Sequence, residues 1–419
     1  MNSKWHVTGG APLRGSLRVQ GSKNAVLPVI AASLLCANET ELLNCPRLSD
    51  VEAAAEILGH LGCPARRQED ALLIDTRSPD RFDIPVDLMN KMRSSVIFLG
   101  PLLARFGQAE ISVPGGCELG ERPIDLHLYA MRMLGAEIRE EGETVLARTD
   151  GLKGAEISFR LPSVGATENA MIAACAAEGP TVIYNAAREP EIETLQEYLR
   201  ALGAEVSGAG SPVIRITGFA PRSHAGLRVP PDRIAAATYL CCCACAGGEI
   251  HLTDVCPDCL RPVLEALEKM GCAVSAGQRE IHMASRGRLR SPGAVVTRPY
   301  PGFPTDAAPL LMAACLRADG STAFIENIFQ SRFRHGEEMR HMGADITIRG
   351  PLAIVTGVER LRGARVQSTD LRGGAALIAA ALGAEGESVI LDPGHITRGY
   401  DALESRLRQL GAEIWQEPY

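Results

Sequence analysis

A short glycine-containing tripeptide recurs six times along this 419-residue chain, at intervals of 68 to 73 residues. The six copies are Leu61-Gly62-Cys63, Leu134-Gly135-Ala136, Leu202-Gly203-Ala204, Met270-Gly271-Cys272, Met342-Gly343-Ala344 and Leu410-Gly411-Ala412. Such a repeat constrains the fold strongly, because each copy must form the same small structural unit. The spacing predicts six units, each of roughly 70 residues.

Each tripeptide follows an amphipathic segment, such as residues 192–199, in which apolar side chains recur at helical spacing. The glycine then stands where the end of a helix favours a residue that tolerates a left-handed backbone. Alternating runs such as Val213-Ile214-Arg215-Ile216 come next and predict strands. The tripeptide is therefore predicted to join a surface helix to a strand.

A second and more apolar segment precedes each tripeptide. These segments are residues 25–35, 95–104, 168–177, 235–246, 307–316 and 375–382. Because apolar residues cover nearly every side of them, we expect six helices that are buried all round. The predicted fold class is α/β, with three units in each half, buried helices inside and sheets outside.

Polar residues stand just before these buried helices. They are Lys23-Asn24, Arg93-Ser94, residues 163–167, Asp232-Arg233, Thr305-Asp306 and residues 370–372. Ser163, Thr305 and Asp370 could simply be helix caps. Basic residues in the same places, Lys23 and Arg372 among them, favour an anion instead, because helix N-termini offer unpaired N–H groups and a positive dipole end. We expect such a ligand between the two halves.

Composition excludes several classes of protein. Lys and Arg number 43 against 50 Asp and Glu, and a net charge of −7 argues against a nucleic-acid-binding protein. The longest charge-free stretches, 24–38 and 234–248, are too short to cross a bilayer, and the first residues lack the apolar run of a secretory signal. The 13 cysteines, an odd number, indicate reduced thiols. We therefore predict a cytoplasmic protein without membrane insertion.

Several longer motifs resemble the UDP-N-acetylglucosamine 1-carboxyvinyltransferase family of enolpyruvyl transferases. They are residues 21–25, 114–117 with 120–127, 163–167, 185–192, 302–306 and 398–400. The resemblance covers essentially the whole chain and implies an inside-out α/β barrel of two similar domains, each made of three βαβαββ-type units. It places the first domain at residues 20–230 and the second at 1–19 with 231–419, with the active site in the cleft between them.

The resemblance also implies a reaction. The enolpyruvyl group of phosphoenolpyruvate moves to the 3′-hydroxyl of UDP-N-acetylglucosamine and phosphate is released, which is the committed step of peptidoglycan synthesis. These two small molecules are the partners it implies, with no cofactor, no metal and no nucleic acid. It does not predict the oligomeric state.

The family pattern assigns phosphoenolpyruvate to Lys23, Asn24, Arg122 and Arg398. This substrate is a small trianion, which needs several fixed cations, and the planar fork of arginine suits its oxygens. By the same resemblance Asp306 is the base that takes the proton of the sugar hydroxyl. A free carboxyl is a weak base, so burial or a nearby like charge, such as the substrate phosphate, is expected to raise its pKa.

Cys117 lies in the run Gly115-Gly116-Cys117-Glu118-Leu119-Gly120, whose three glycines predict an exposed loop. Arg122, five residues on, could favour its thiolate. The resemblance implies that Cys117 donates a proton, forms an adduct with phosphoenolpyruvate and is the residue alkylated by fosfomycin. Closure of the loop would exclude water from the reaction.

The nucleotide sugar is assigned by resemblance to three groups of residues. The uracil and ribose contact Arg122, Pro123, Ile124, Asp125 and Leu126; the diphosphate lies at Ser163, Val164 and Gly165; and the sugar contacts Asn24, Arg93, Asp306 and Ile328. The backbone N–H groups at Ser163 to Gly165 suit a diphosphate.

Three positions depart from the family pattern, namely Ala235, Ala308 and Thr397. They leave open a divergent relative with low or no activity, and the related 3-phosphoshikimate 1-carboxyvinyltransferase is a further alternative. A Cys-x-x-Cys pair, Cys256 and Cys259, with a cluster of cysteines nearby, leaves a metal or redox protein as a remote alternative.

Overall fold

The computed structural model describes residues 3–92, 94–112, 124–219, 222 and 224–418. These residues divide into two compact units. The described residues up to Gln20 and from Pro231 onward form one, which we call the terminal unit; those from Gly21 to Pro230 form the other, the middle unit.

The elements of both units alternate between strands and helices along the chain. The strands are β1 (Ser3–Thr8), β2 (Leu13–Arg18), β3 (Glu39–Leu43), β4 (Ala65–Gln68), β5 (Ala71–Asp75), β6 (Asp83–Ile84), β7 (Gln108–Ser112), β8 (Glu137–Glu141), β9 (Thr144–Arg148), β10 (Glu156–Ser158), β11 (Thr181–Tyr184), β12 (Ala204–Ser207), β13 (Val213–Phe219), β14 (His224–Arg228), β15 (Gly248–Thr253), β16 (Ala273–Ala276), β17 (Glu280–Ser285), β18 (Ala294–Val296), β19 (Ser321–Ile325), β20 (Asp345–Arg349), β21 (Leu352–Thr356), β22 (Arg365–Gln367), β23 (Glu387–Leu391) and β24 (Glu413–Pro418). The α-helices are α1 (Lys23–Ala32), α2 (Ser49–His60), α3 (Val86–Lys91), α4 (Leu99–Phe106), α5 (Asp125–Met133), α6 (Val164–Ala174), α7 (Pro190–Leu202), α8 (Arg233–Ala246), α9 (Arg261–Met270), α10 (Ala308–Cys315), α11 (Arg334–His341), α12 (Leu371–Leu382) and α13 (Leu403–Gln409). Short 3₁₀ helices span Ser33–Leu35, Ser95–Phe98, Asp258–Leu260, Thr305–Ala307 and Pro393–Arg398.

The strands form six four-stranded sheets, three in each unit. Their orders are β14-β3-β5-β4, β6-β7-β9-β8 and β10-β11-β13-β12 in the middle unit, and β2-β15-β17-β16, β18-β19-β21-β20 and β22-β23-β1-β24 in the terminal unit. Each of the six sheets combines one parallel pair with two antiparallel pairs. In one sheet β10 runs parallel to β11; in the last sheet β22 runs parallel to β23, and β1 lies between β23 and β24. The first residues of the chain belong to the terminal unit because β2 pairs with β15 and β1 with β23 and β24.

The predicted apolar segments form the helical interior of each unit. In the terminal unit α8, α10 and α12 pack against one another, and every residue of α8 from Arg233 to Ala244 is buried. These helices are rich in Ala, Cys and Gly, so their backbones can approach closely. Each unit has its own hydrophobic core. The predicted α/β architecture, with helices inside and sheets around them, is confirmed.

The glycine of each repeated tripeptide ends a surface helix in a left-handed backbone. All six have a positive φ, from 84° at Gly62 to 108° at Gly203. They follow α2, α5, α7, α9, α11 and α13. The sequence prediction for these glycines is confirmed, and only a residue without a Cβ adopts this conformation without strain.

We expect Gly135→Ala to lower the free energy of unfolding by about 1–2 kcal/mol. Its φ is 91° and an added Cβ meets no described atom within 4 Å, so the cost is that of the backbone alone. Gly59→Ala in α2 is the matched control: its Cβ would meet equally open space, its φ is not positive, and alanine favours a helix by about 0.5–1 kcal/mol. Urea denaturation of both variants should give changes of opposite sign; changes of the same sign would contradict the interpretation.

The cysteines differ from the sequence expectation at one place. Cys256 and Cys259, whose Cα atoms are 5.4 Å apart, form a disulfide, so the expectation of reduced thiols was wrong for this pair. Ten other cysteines in the described part of the chain are free, and nine of them are buried. Burial raises the pKa of Cys243 to about 12 and that of Cys272 to about 11, which disfavours the thiolate that a metal requires.

None of the described helices is long and apolar enough to cross a membrane.

Candidate active site

Two buried arginines of the terminal unit hold the carboxylate of Asp306. Arg332 Nη2 lies 2.8 Å from Asp306 Oδ1, and Arg372 Nε lies 3.1 Å from Oδ2. The arginine side chains are 1% and 3% exposed, whereas that of Asp306 is 29% exposed. The carboxylate is therefore fixed from behind by two cations while part of it remains accessible to a ligand.

The two arginines are fixed by their own neighbours. Arg332 Nε and Nη2 donate to the carbonyl oxygen of Thr305 at 3.2 and 3.0 Å. The guanidinium of Arg372 lies over the ring of Tyr400, 5.3 Å from its centroid. Although burial opposes the charged form, Tyr400, Asp306 and Asp232 raise the pKa of Arg372 above its usual value. The Arg372 guanidinium therefore stays charged where it holds Asp306.

Asp370 caps α12 and completes this charged cluster. Its Oδ1 accepts from the backbone N–H groups of Arg372 and Gly373 at 3.0 and 3.1 Å, and lies 3.8 Å from Arg332 Nη1. Burial raises the pKa of Asp370, but Arg332, His335 and the two N–H groups outweigh it, so the pKa lies below its usual value. Asp370 is thus both a helix cap and a counter-ion.

Glu326 shapes the turn that precedes α10, and the alternative in which Thr305 is simply a helix cap was wrong. Thr305 lies in a 3₁₀ turn and its hydroxyl donates to Glu326 Oε2 at 2.9 Å. Glu326 Oε1 accepts from the backbone N–H groups of Ile328 and Phe329 at 2.7 and 3.1 Å. One buried carboxylate therefore ties the backbone before Asp306 to the segment that carries the exposed side chain of Ile328.

Arg398 is the last residue of the 3₁₀ helix Pro393–Arg398 and is half-buried. It stands two residues before Tyr400, whose hydroxyl pairs with Thr238 Oγ1 at 2.8 Å. Thr397 is exposed and its hydroxyl donates to the carbonyl oxygen of Gly394 at 2.9 Å. Arg398 therefore lies two residues before Tyr400, whose ring packs on Arg372.

The structure places Lys23 and Asn24 in the first turn of α1 in the middle unit. Ser22 caps this helix, with Oγ accepting from Ala25 N at 3.3 Å. Lys23 Nζ lies 2.7 Å from Asp50 Oδ2, and their side chains are 12% and 1% exposed. A buried carboxylate in the first turn of α2 therefore anchors the Lys23 ammonium at a positive helix end.

Ser163, Val164 and Gly165 form the half-buried start of α6, which contacts α1. Ser163 is the N-cap, its Oγ accepting from Ala166 N at 3.4 Å. A Cβ on Gly165 would lie 3.1 Å from His127 Cε1, so the glycine allows this histidine to pack against the helix start. His127 in turn pairs with Asn169, 3.0 Å away.

The remaining predicted ligands of the nucleotide sugar are only partly described. Ile124 and Leu126 are half-buried at the start of α5, and Asp125 is exposed and pairs with Arg160 at 2.6 Å. Arg93, Cys117, Arg122 and Pro123 lie outside the described residues. Sequence reasoning missed Arg332, Glu326 and His335, since no local pattern marks which polar residue of that segment is buried.

Comparison with known proteins identifies the family of the chain. The sequence profile of the family described as EPSP synthase (3-phosphoshikimate 1-carboxyvinyltransferase) matches residues 7–407. A curated UDP-N-acetylglucosamine 1-carboxyvinyltransferase 2 from Caldanaerobacter subterraneus subsp. tengcongensis is 43% identical over 98% of this chain and 99% of its own length. The chain belongs to the enolpyruvyl transferase family. A curated UDP-N-acetylglucosamine 1-carboxyvinyltransferase from Halorhodospira halophila is 44% identical over 98% of this chain and 99% of its own length.

A solved structure of another enolpyruvyl transferase supports the fold assignment. The crystal structure of NikO from Streptomyces tendae superposes with a TM-score of 0.90 at 24% identity and covers 99% of both chains. At this identity the likeness concerns the fold alone. The resemblance predicted from the motifs, and the fold class that it implied, are confirmed.

We expect two buried histidines to lower the free energy of unfolding as the pH drops from about 6.5 to about 4. Burial lowers the pKa of His127 and of His335 to about 4, from 6.5. Below pH 6.5 these histidines bind protons in the unfolded chain but not in the native state, so their contribution to stability is complete above pH 6.5 and is lost towards pH 4. The loss approaches roughly 3 kcal/mol for each histidine.

Urea denaturation at a series of pH values measures this loss. The slope of the unfolding free energy against pH reports how many protons are taken up on unfolding. His127→Gln should lower that number by about one, because the variant no longer has this buried imidazole. His341→Gln, which replaces an exposed histidine at the end of α11, is the matched control and should keep the full dependence. Equal slopes for the two variants would contradict the assignment.

Proposed function

We propose that the protein transfers the enolpyruvyl group of phosphoenolpyruvate to the 3′-hydroxyl of UDP-N-acetylglucosamine and releases phosphate. The observation that carries the proposal is the 43–44% identity, over 98% of the chain, to two curated enzymes named for this transfer. On this proposal the protein is a cytoplasmic enzyme of peptidoglycan synthesis, and these two small molecules are its substrates.

Asp306 is the proposed base. When the sugar oxygen bonds to C2 of phosphoenolpyruvate, its proton must leave and C3 must gain one. Loss of phosphate from C2 and of a proton from C3 then restores the vinyl group on the sugar. Two charged partners of Asp306, Arg332 and Arg372, are cations, and the phosphate of the substrate would bring a negative charge close to it. Arg332 and Arg372 orient its oxygens for the hydroxyl.

Fixed cations are the proposed binding groups for phosphoenolpyruvate. Lys23, with Asn24 beside it, and Arg122 and Arg398 bind the phosphate and carboxylate in this proposal. The support from the structure is the anchoring of Lys23 by buried Asp50, which limits the motion of the ammonium group. A preorganised cation stabilises developing charge without rearrangement during the reaction.

The proposed ligands of UDP-N-acetylglucosamine follow the family pattern. They are Asn24, Arg93, Arg122, Pro123, Ile124, Asp125, Leu126, Ser163, Val164, Gly165, Asp306 and Ile328. The support from the structure is the half-buried start of α6, whose first N–H groups suit a diphosphate. The exposed apolar side chain of Ile328 offers a contact for the sugar.

An acceptor assay tests the proposed function. Phosphate release from phosphoenolpyruvate is measured with UDP-N-acetylglucosamine and, separately, with shikimate 3-phosphate, the acceptor suggested by the name of the family profile. We expect release with the nucleotide sugar alone. Release with shikimate 3-phosphate alone would show that the protein is instead a 3-phosphoshikimate 1-carboxyvinyltransferase. Binding of the nucleotide sugar without turnover would indicate a divergent relative slowed at Ala235, Ala308 or Thr397.

We expect Cys117→Asp to remain active and to escape inactivation by fosfomycin. In the proposal Cys117 donates a proton and is the alkylated nucleophile; a carboxylic acid can still donate a proton but is not alkylated. Residual activity after incubation with fosfomycin is the measurement. Cys36→Ser, which replaces a buried thiol, is the control and should stay sensitive. Inactivation of Cys117→Asp at the original rate would exclude this residue as the target.

A further inference from the structure

Two histidines and a glutamate meet on the sheet β2-β15-β17-β16 of the terminal unit. His251 on β15 and His282 on β17 are directly opposed in the antiparallel register. Their rings are parallel to within 9°, with centroids 3.8 Å apart. His251 Nε2 lies 3.0 Å from Glu280 Oε2. The three residues share one face, because Glu280 and His282 are two positions apart on a strand.

The strand pairing makes this group a rigid platform. His251 lies on a central strand, hydrogen-bonded to β17 on one side and to β2 on the other. Ser16, its partner on β2, places Oγ 3.4 Å from His251 Nδ1. A hydroxyl at this nitrogen can fix the tautomer, as partners of metal-binding histidines do. In the tautomer in which Nδ1 donates to Ser16, the lone pair of Nε2 faces the Glu280 carboxylate.

This tautomer needs a cation between the two groups, because a nitrogen lone pair and a carboxylate repel each other. A proton can fill the role, and so can a metal ion. Two donors of a Zn²⁺ ion, each about 2.0–2.2 Å from it, lie roughly 3–3.5 Å apart, and the observed separation is 3.0 Å. The donor atoms of all three residues lie within 4.8 Å of one another, so rotation of the His282 side chain would complete the set.

We propose that His251, His282 and Glu280 bind a divalent transition-metal ion, with Zn²⁺ as the best match. Two imidazoles and one carboxylate form a donor set that suits this ion and leaves a fourth coordination position open. A cleft of about 730 Å³ adjoins the histidines and is also lined by Arg14, Glu249 and Arg286. A water or a small anion can therefore reach the open position. The proposed site shares no residue with those assigned to enolpyruvyl transfer.

Metal stoichiometry of the full-length protein tests the proposal. The protein is dialysed against buffered Zn²⁺ and its bound zinc is counted by elemental analysis, for the parent and for His251→Asn/His282→Asn. We expect the double variant to bind one ion fewer, which separates this site from any ion held by cysteines. Glu280→Gln should bind with at least roughly tenfold lower affinity. An unchanged stoichiometry in the double variant would overturn the proposal.

His6→Asn is the matched control. His6 also lies on a sheet and also contacts two glutamates, at 2.6 and 2.9 Å, but these contacts are made by opposite ring nitrogens. No single ion can join all three groups there, so this variant should keep the full stoichiometry. Zinc should also raise the melting temperature of the parent and of His6→Asn, since ligands that bind the native state stabilise it. A zinc-induced rise of the same size in the double variant would count equally against the site.

Discussion

Asp306→Asn is expected to reduce the turnover number by about 10²–10⁴-fold, the usual contribution of a general base. The amide cannot accept the proton of the sugar hydroxyl, yet its oxygen can still accept a hydrogen bond from Arg332. Asn is a better probe than Ala. Both substitutions remove the counter-charge of the buried guanidinium groups of Arg332 and Arg372, which costs up to about 3–5 kcal/mol of stability, but only Asn keeps an oxygen that accepts from one of them.

Three measurements separate the chemical role of Asp306 from a structural one. The turnover number in the phosphate-release assay should fall far more than the affinity for UDP-N-acetylglucosamine measured by calorimetry. Urea denaturation should show that the variant is folded under assay conditions. Asp345→Asn, which removes an exposed carboxylate at the start of β20, is the matched control and should leave both quantities unchanged. Full turnover by Asp306→Asn would exclude it as the base.

The fold was predictable because its signals are local and repeated. The left-handed glycine at the end of each surface helix follows from a tripeptide that recurs six times, and all six glycines have positive φ. The apolar segments predict buried helices because no polar stripe interrupts them, and α8 is buried as expected. Residue spacing alone did not predict that β1 joins the last sheet, because that pairing connects opposite ends of the chain.

The candidate site was predictable only where a family motif marks a residue. Asp306 and Lys23 stand in such motifs, but the groups that fix them come from distant parts of the chain. Arg332 is followed two residues later by another arginine, and nothing in the sequence indicates that Arg332 is buried and Arg334 is not. For Thr305 the local sequence does contain a signal, but the signal suggests the wrong role. Its place before an apolar helix predicts a cap, yet the nearby Glu326 carboxylate takes its hydroxyl.

Lys23→Met is expected to abolish measurable turnover and also to lower the free energy of unfolding by about 3 kcal/mol. The catalytic loss follows from the proposed role of its ammonium group on phosphoenolpyruvate. The loss of stability follows from Asp50, a carboxylate whose side chain is 1% exposed and which would lose a cation 2.7 Å away. Turnover and urea denaturation of the same preparation measure both effects.

Lys23→Met/Asp50→Asn separates these two effects. Neutralising Asp50 removes the buried charge that Lys23 compensates, so the double variant should regain most of the lost stability. It should not regain turnover, because the cation for the substrate is still absent. Asp50→Asn alone serves as the control for the second substitution and should retain Lys23-dependent turnover, although with a less firmly held ammonium group. If the double variant recovered turnover together with stability, Lys23 would be a structural residue and its assignment to phosphoenolpyruvate would be wrong.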